Sequence, residues 1–160
     1  MTLPTIQDAE VQQFLQFTLP DDTLAMIRSS HLTEVLSLDL AQIVSIPDVN
    51  SALLGVYNWR GEVLWLLDAG AYLGAEPLYQ DSLGLGKVTV IIIHSQGKTL
   101  GLCIKQVDEM VTCSVEGIQT PPRAELSAAL QECLDGYWLN AHQDVTWVLN
   151  ASQLIDNMSG

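Results

Sequence analysis

Two stretches of this chain, EVLWLLDAGAYL at 62–73 and DVTWVLNASQLI at 144–155, align without a gap at a constant spacing of 82 residues. Val63 falls on Val145, Trp65 on Trp147, Leu67 on Leu149, Asp68 on Asn150 and Ala69 on Ala151. Upstream, Thr23-Leu24 falls on Thr99-Leu100 at a spacing of 76, Glu34 falls near Glu109, and Pro47 near Pro121. Gly55 precedes one terminal hairpin and Gly136 the other. A chain written twice in this way has units of roughly 75–80 residues, enough for about five short strands in a small closed barrel but too few to fill a core alone. The period is also too long for a solenoid. The economical fold is therefore all-β with short helices: two pseudo-repeated five-stranded barrels packed together. The sequence halves are about 12–75 and 87–155. Residues 1–11 are then a polar lead-in and 156–160 a tail.

Local patterns supply the strands. QQFLQFTL (12–19) alternates apolar and polar residues, Pro20-Asp21-Asp22 turns, and 23–27 returns to complete a hairpin. HLTEVLSL (31–38) is compatible with strand or helix, and strand is the better reading. Leu53 to Leu73 reads as strand, tight turn, strand and a short helical piece, with the turn centred on Asn58-Trp59-Arg60-Gly61. Gly61 permits the positive φ that such a turn needs. Glu62 to Leu67 is almost wholly apolar, which implies that both faces of that strand are covered. Glu76 to Gly86 is the candidate linker, and KVTVIIIH (87–94) is the clearest strand, β-branched almost throughout. Gln96-Gly97 turns the chain back into 99–104, and 107–113 follows. A short helix is expected from Arg123 to about Leu130, a last hairpin over 133–149, and a helical turn on the barrel at 151–156.

Charge and chemistry narrow the function. The formal net charge is −13, from 19 acidic and 6 basic residues, which disfavours nucleic acid and anionic membranes and favours basic partners. No 18-residue apolar stretch is present, and the N-terminus lacks the pattern of a secretory signal. Three widely spaced cysteines read as reduced, buried thiols of a cytosolic protein. His31, His94 and His142 form no metal-ligand spacing, there is no GxSxG, and Gly84-Leu85-Gly86-Lys87 leads into a strand rather than the helix that a phosphate loop requires. No catalytic residue, cofactor or metal site is expected. A small enzyme built on its acidic residues is the alternative of a different class.

Two features stand out from this background. Trp65 and Trp147 occupy equivalent repeat positions, which points to core packing that fills the barrel interiors. Trp59 instead sits in an exposed turn beside Arg60, a scarce cation, and Trp with Arg is the usual make-up of an interface hot spot. An acidic, β-rich body with such a turn has the character of an interaction module.

The same residues resemble the CheW family, the adaptor domain that couples chemoreceptors to the histidine kinase CheA. The family pattern around its central hairpin stands here as Gly55-Val56-Tyr57-Asn58-Trp59-Arg60-Gly61-Glu62-Val63, then Asp68, then Leu73-Gly74. QQFLQFTLPDDTLAM resembles the first hairpin, Leu32-Thr33-Glu34-Val35 the V-x-E-V segment, GLCIKQVDEMV the pattern GLxVDxVxEVL, and IQTPP the proline motif after it. The likeness covers about residues 12–155. Trp65 stands where the family has proline, Ala69 where it has leucine, and Lys105 where aspartate is common.

The resemblance implies one domain over 12–155 made of two interleaved five-stranded barrel subdomains, and a non-catalytic scaffold with two kinds of partner. One barrel would pair with the regulatory domain of a CheA-type histidine kinase, and the groove between barrels would take the cytoplasmic tip of a chemoreceptor. Glu34 and Arg60 match family positions implicated in these contacts, with Leu32, Val56, Asn58 and Gly61 as neighbours. With Trp59 they make up the expected partner-binding set. Leu32 and Val56 are expected to line an apolar groove with Arg60 at its edge, and Glu34 and Arg60 to pair. Self-association is a further expectation, as is a cytoplasmic protein recruited to membrane-associated receptor arrays. The output is motility, with a type IV pilus or phototaxis-type pathway as the alternative to a flagellar one.

Overall fold

In a computed structural model of the chain, the structure describes residues 11–46, 52–74, 86–122, 124 and 126–159. The lead-in, the Pro47–Asn50 approach and nearly all of the 76–86 linker lie outside the described residues. Ten strands are present among the described residues: β1 Val11–Thr18, β2 Leu24–Arg28, β3 Leu32–Asp39, β4 Leu53–Trp59, β5 Glu62–Asp68, β6 Lys87–Ser95, β7 Lys98–Ile104, β8 Gln106–Ser114, β9 Leu134–Leu139 and β10 Val145–Leu149. Three short α-helices accompany them among the described residues: α1 Ala69–Tyr72, α2 Ala128–Cys133 and α3 Ala151–Ser159. The strand reading of 31–38 holds. Of the helix expected from Arg123 to about Leu130, Arg123 and Glu125 lie outside the described residues; an α-helix runs over Ala128–Cys133, where the Ser127 side chain accepts from Leu130 N–H. The helical turn at the end runs on to Ser159, so residues 156–159 of the stretch read as a tail continue it.

The strands make two five-stranded sheets, β8-β1-β2-β10-β9 and β3-β6-β7-β5-β4. Neither sheet is one half of the sequence. Each takes a hairpin from one half and three strands from the other, so that β10 lies parallel to β2 and β5 parallel to β7. Both sheets curl, and each is closed by one antiparallel bridge beyond its regular strands: Val44 with Val56, and Gln119 with Tyr137. The glycines before the two bridges show how close the chains come. A Cβ on Gly55 would lie 2.2 Å from the Val44 carbonyl oxygen, and one on Gly136 would lie 2.4 Å from that of Gln119.

The repeat survives in these details, with one change of register. Leu67 pairs with Leu102 as Leu149 pairs with Ile27. The second strands of the hairpins are therefore equivalent at a spacing of 75 (27 to 102), one less than the Thr-Leu identity suggests. The first strands keep 76, because Phe14, Leu15 and Phe17 face the same ways as Val90, Ile91 and Ile93. Asp68 and Asn150 start equivalent helices. Asp68 Oδ1 accepts from Ala71 N–H at 3.2 Å and Asn150 Oδ1 from Gln153 N–H at 3.0 Å.

Burial follows the two-residue period of a strand. Along β6, Val88, Val90 and Ile92 fill their own barrel while Ile91 and Ile93 face the other one, which accounts for the uninterrupted apolar run. The largest core lies between the barrels, where Leu15, Phe17 and Ile27 meet Leu67, Leu100 and Leu102, with Leu154 and Ile155 of α3. β5 departs from expectation. Leu64, Leu66 and Leu67 are buried, but Val63 is 68% and Trp65 37% exposed. Trp65 thus lies outside its barrel, and Trp147 packs partly buried on the inter-barrel core rather than filling an interior. Aliphatic residues and Cys103 fill the barrel of β3–β7, with Tyr57 and Trp59 packed against them; Phe14, Met26, Cys113 and Val148, with Trp138 against them, occupy the other.

Candidate functional site

The β4–β5 hairpin presents the most constrained surface side chain among the sequence-derived candidates. Trp59 pairs with Glu62, leaving a two-residue connection in which Arg60 has φ 53° and Gly61 φ 81°. Left-handed backbone at both positions matches the twist of the flanking strands. The Asn58 side-chain oxygen accepts from Gly61 N–H at 3.0 Å and fixes the turn. Glycine takes this conformation freely, whereas for arginine it costs on the order of 1 kcal/mol.

Glu34 on β3 holds the arginine in place. Its Oε1 lies 2.7 Å from Arg60 Nη2 and also accepts from Trp59 Nε1–H at 3.0 Å. The guanidinium carbon stands 5.0 Å from the centre of the Trp59 ring. Glu34 is thus the hub of a corner joining β3 to β4, the two ends of the sheet order, at the seam that the Val44–Val56 bridge closes. The Arg60 side chain is 69% exposed, so the pair contributes little to stability, about 1 kcal/mol or less. Its consequence is orientation: the remaining guanidinium donors point outward from a fixed place.

Beside this corner runs an apolar strip. Val44 pairs with Val56, Val56 with Trp65, and Asn58 with Val63, which puts these side chains on one outer face. Val44 is 59% exposed, and Val63 and Trp65 are also open to solvent. Contiguous exposed apolar surface of this kind is what a protein partner would cover. Asn58, Trp59, Arg60, Gly61 and Glu34 therefore converge, and Val56 lies in the adjoining strip. Leu32 does not join them. It pairs with Ile93 and packs on the inter-barrel core, and neither it nor Val56 walls any of the described depressions, so the expected Leu32–Val56 groove is absent from that set.

Val44, Val63 and Trp65 were not among the sequence-derived site residues. The signal for two of them was present in the strict alternation of Val63 and Trp65 with Leu64 and Leu66, masked because all four are apolar. Lys105, another departure from the family pattern, is engaged with Asp22 at 2.9 Å on the other barrel.

The three thiols are buried and unpaired. Burial pushes Cys103 and Cys113 upward and Cys133 up to about 12, so they stay protonated and poorly nucleophilic. Among the described residues no group of three or more His, Cys, Asp or Glu is placed to hold a metal ion.

The profile of the CheW-like domain matches residues 13–158. A curated relative described as a probable chemotaxis protein CheW, from Rhizobium etli, is 31% identical over 87 residues, covering 54% of this chain and 52% of that protein. The match thus spans about half the length of that relative. The crystal structure of the scaffolding protein TtCheW from Thermoanaerobacter tengcongensis superposes with a TM-score of 0.71 at 18% identity, covering 88% of this chain and 90% of that one. That likeness establishes the fold of two curled sheets. CheW-like domains are non-catalytic, which sets the acidic-enzyme alternative aside. With the match running over nearly the whole of both barrels, the chain belongs to the CheW-like domain family.

Proposed function

We propose that this protein is an adaptor in a chemosensory array, holding the cytoplasmic tip of a chemoreceptor and the regulatory domain of a CheA-type histidine kinase in fixed relation. Residues 12–155 act as one domain made of two interleaved barrels. The observation that carries this reading is the Glu34–Trp59–Arg60 corner, a preset arginine beside a strip in which Val44, Val63 and Trp65 are exposed and Val56 is half-buried. Coupling of this kind is a binding free energy between sites and requires no chemistry in the adaptor. An amphipathic or barrel-like partner would cover the strip and bring a carboxylate to Arg60. The place of action is the cytoplasmic face of receptor arrays; among the described residues no helix is long and apolar enough to cross a membrane.

Size-exclusion chromatography of the chain with both partners from the same organism tests this reading. The expected result is one peak holding all three components. A chain that elutes alone, or that each partner displaces from the other, contradicts it.

A further inference from the structure

The two barrels come from one repeat, yet their equivalent ends are built differently. At the β4–β5 end, Trp59 and Arg60 cover the barrel mouth over Glu34. The repeat places Glu109 at the position of Glu34, and Asn140 and Ala141 at those of Trp59 and Arg60, at spacings of 75 and 81. Without the indole and guanidinium, the second mouth stays open. A depression of about 480 Å³ lies there, lined among others by Gln16, Leu24, Asp108 and Trp138, with Glu109, Asn140 and Ala141 also in its lining.

The interior behind this mouth is polar where its counterpart is not. Ile92 and Leu64, both buried in the closed barrel, correspond to Gln16 and Thr146. Thr146 is completely enclosed and its Oγ1 has no hydrogen-bond partner. Its register neighbours on the two sides are Leu24 and Trp138, both walls of the depression. An unpaired buried hydroxyl is destabilising, a cost that an aliphatic side chain of the kind used in the other barrel would avoid.

Asp108 sets the charge of the site. It lies at a bulge where the pairing of β1 with β8 shifts; the closed barrel has its bulge at the equivalent place, with Thr33 there instead. Asp108 Oδ2 accepts from Thr18 Oγ1 at 2.8 Å and from Gln16 Nε2 at 3.3 Å, and Oδ1 accepts from Gln106 Nε2 at 2.9 Å. All three donors are neutral, so they fix the direction of the carboxylate and leave its charge uncompensated. No lysine or arginine lines the depression, and Glu109 and Asp144 add negative charge. Trp138 supplies an aromatic surface, which attracts cations. The volume suits a small molecule.

We propose that this open barrel end is a binding site for a small organic cation, an alkylammonium or methylated ammonium group held by Asp108 against Trp138. The inference does not depend on the identity of the protein partners. It is tested by titrating the ¹⁵N-labelled full chain with ethylammonium and tetramethylammonium chloride, with ionic strength held constant by NaCl. Saturable shifts are expected at the Gln16 side-chain amide and the Trp138 indole N–H. Asp108→Asn, which preserves shape, is expected to weaken binding about tenfold or more. Glu116→Gln, at an exposed position outside the depression, leaves it unchanged. Shifts that fail to saturate, that NaCl alone reproduces, or that persist at full affinity in Asp108→Asn overturn the proposal. Should Asp108→Asn not fold, the wild-type titration against NaCl decides alone.

Discussion

At the scale of single residues, Glu34 and Arg60 separate orientation from stability. Their contact is short, but Arg60 is mostly in water, where screening and side-chain entropy offset most of the attraction. A double-mutant cycle of Glu34→Gln and Arg60→Ala, read by chemical denaturation, is expected to give a coupling of about 1 kcal/mol or less. A coupling several times larger would make the corner a structural clamp instead of a presentation device. The thiols supply a second residue-scale test. A thiol that stays protonated in the fold leaves stability unaffected below its ordinary value of 9.0. Above that pH the unfolded chain loses the proton while the folded chain keeps it, and stability falls until Cys133 itself ionises at about 12. Between pH 8 and pH 10, wild type is therefore expected to lose more stability than Cys133→Ala, as measured by denaturant midpoints at both values. Equal losses would contradict the burial of that thiol.

At the scale of elements, closure of each barrel depends on a glycine that lets one chain cross another. Gly55 and Gly136 both have positive φ and both lie against a backbone carbonyl, which cannot move aside as a flexible side chain can. Gly55→Ala and Gly136→Ala are each expected to destabilise by roughly 2 kcal/mol or more. Gly61 also has positive φ, but no atom lies within 4 Å of its would-be Cβ. Gly61→Ala is therefore expected to cost only about 1 kcal/mol, through backbone strain alone. Thermal melts of the three variants check the order, and a Gly61→Ala variant as damaged as the other two would contradict it. Most elements could be read in the sequence because strand alternation and turn residues are local signals. What could not be read was which face of β5 is covered. EVLWLLD carries apolar residues on both sides, and only the pairing of Val63 and Trp65 with Asn58 and Val56 shows which side water reaches.

At the scale of the whole molecule, the repeat announced two barrels, but the exchange of hairpins between them is a tertiary fact. β1 and β2 complete the sheet of the later strands, and β6 and β7 that of the earlier ones. A register set by the Thr-Leu identity therefore runs one residue out in the second strands, because the β1–β2 and β6–β7 turns differ in length. The arrangement of the candidate residues was legible to a similar degree. Motif residues 58–61 with Glu34 come together, whereas Leu32 is drawn into the core between barrels, a position that no local pattern specifies. Exchange also ties the presenting hairpin to both halves of the chain, so a partner pressing on Arg60 and the Val63–Trp65 face acts against the whole body. Isothermal calorimetry of wild type and Arg60→Ala against the kinase regulatory domain and the receptor tip tests this account most directly. The account predicts saturable binding of both partners by wild type and, for at least one of them, a loss of about 2 kcal/mol or more in Arg60→Ala with the fold intact. Absence of binding by wild type, or affinities that Arg60→Ala leaves unchanged for both partners, would contradict it.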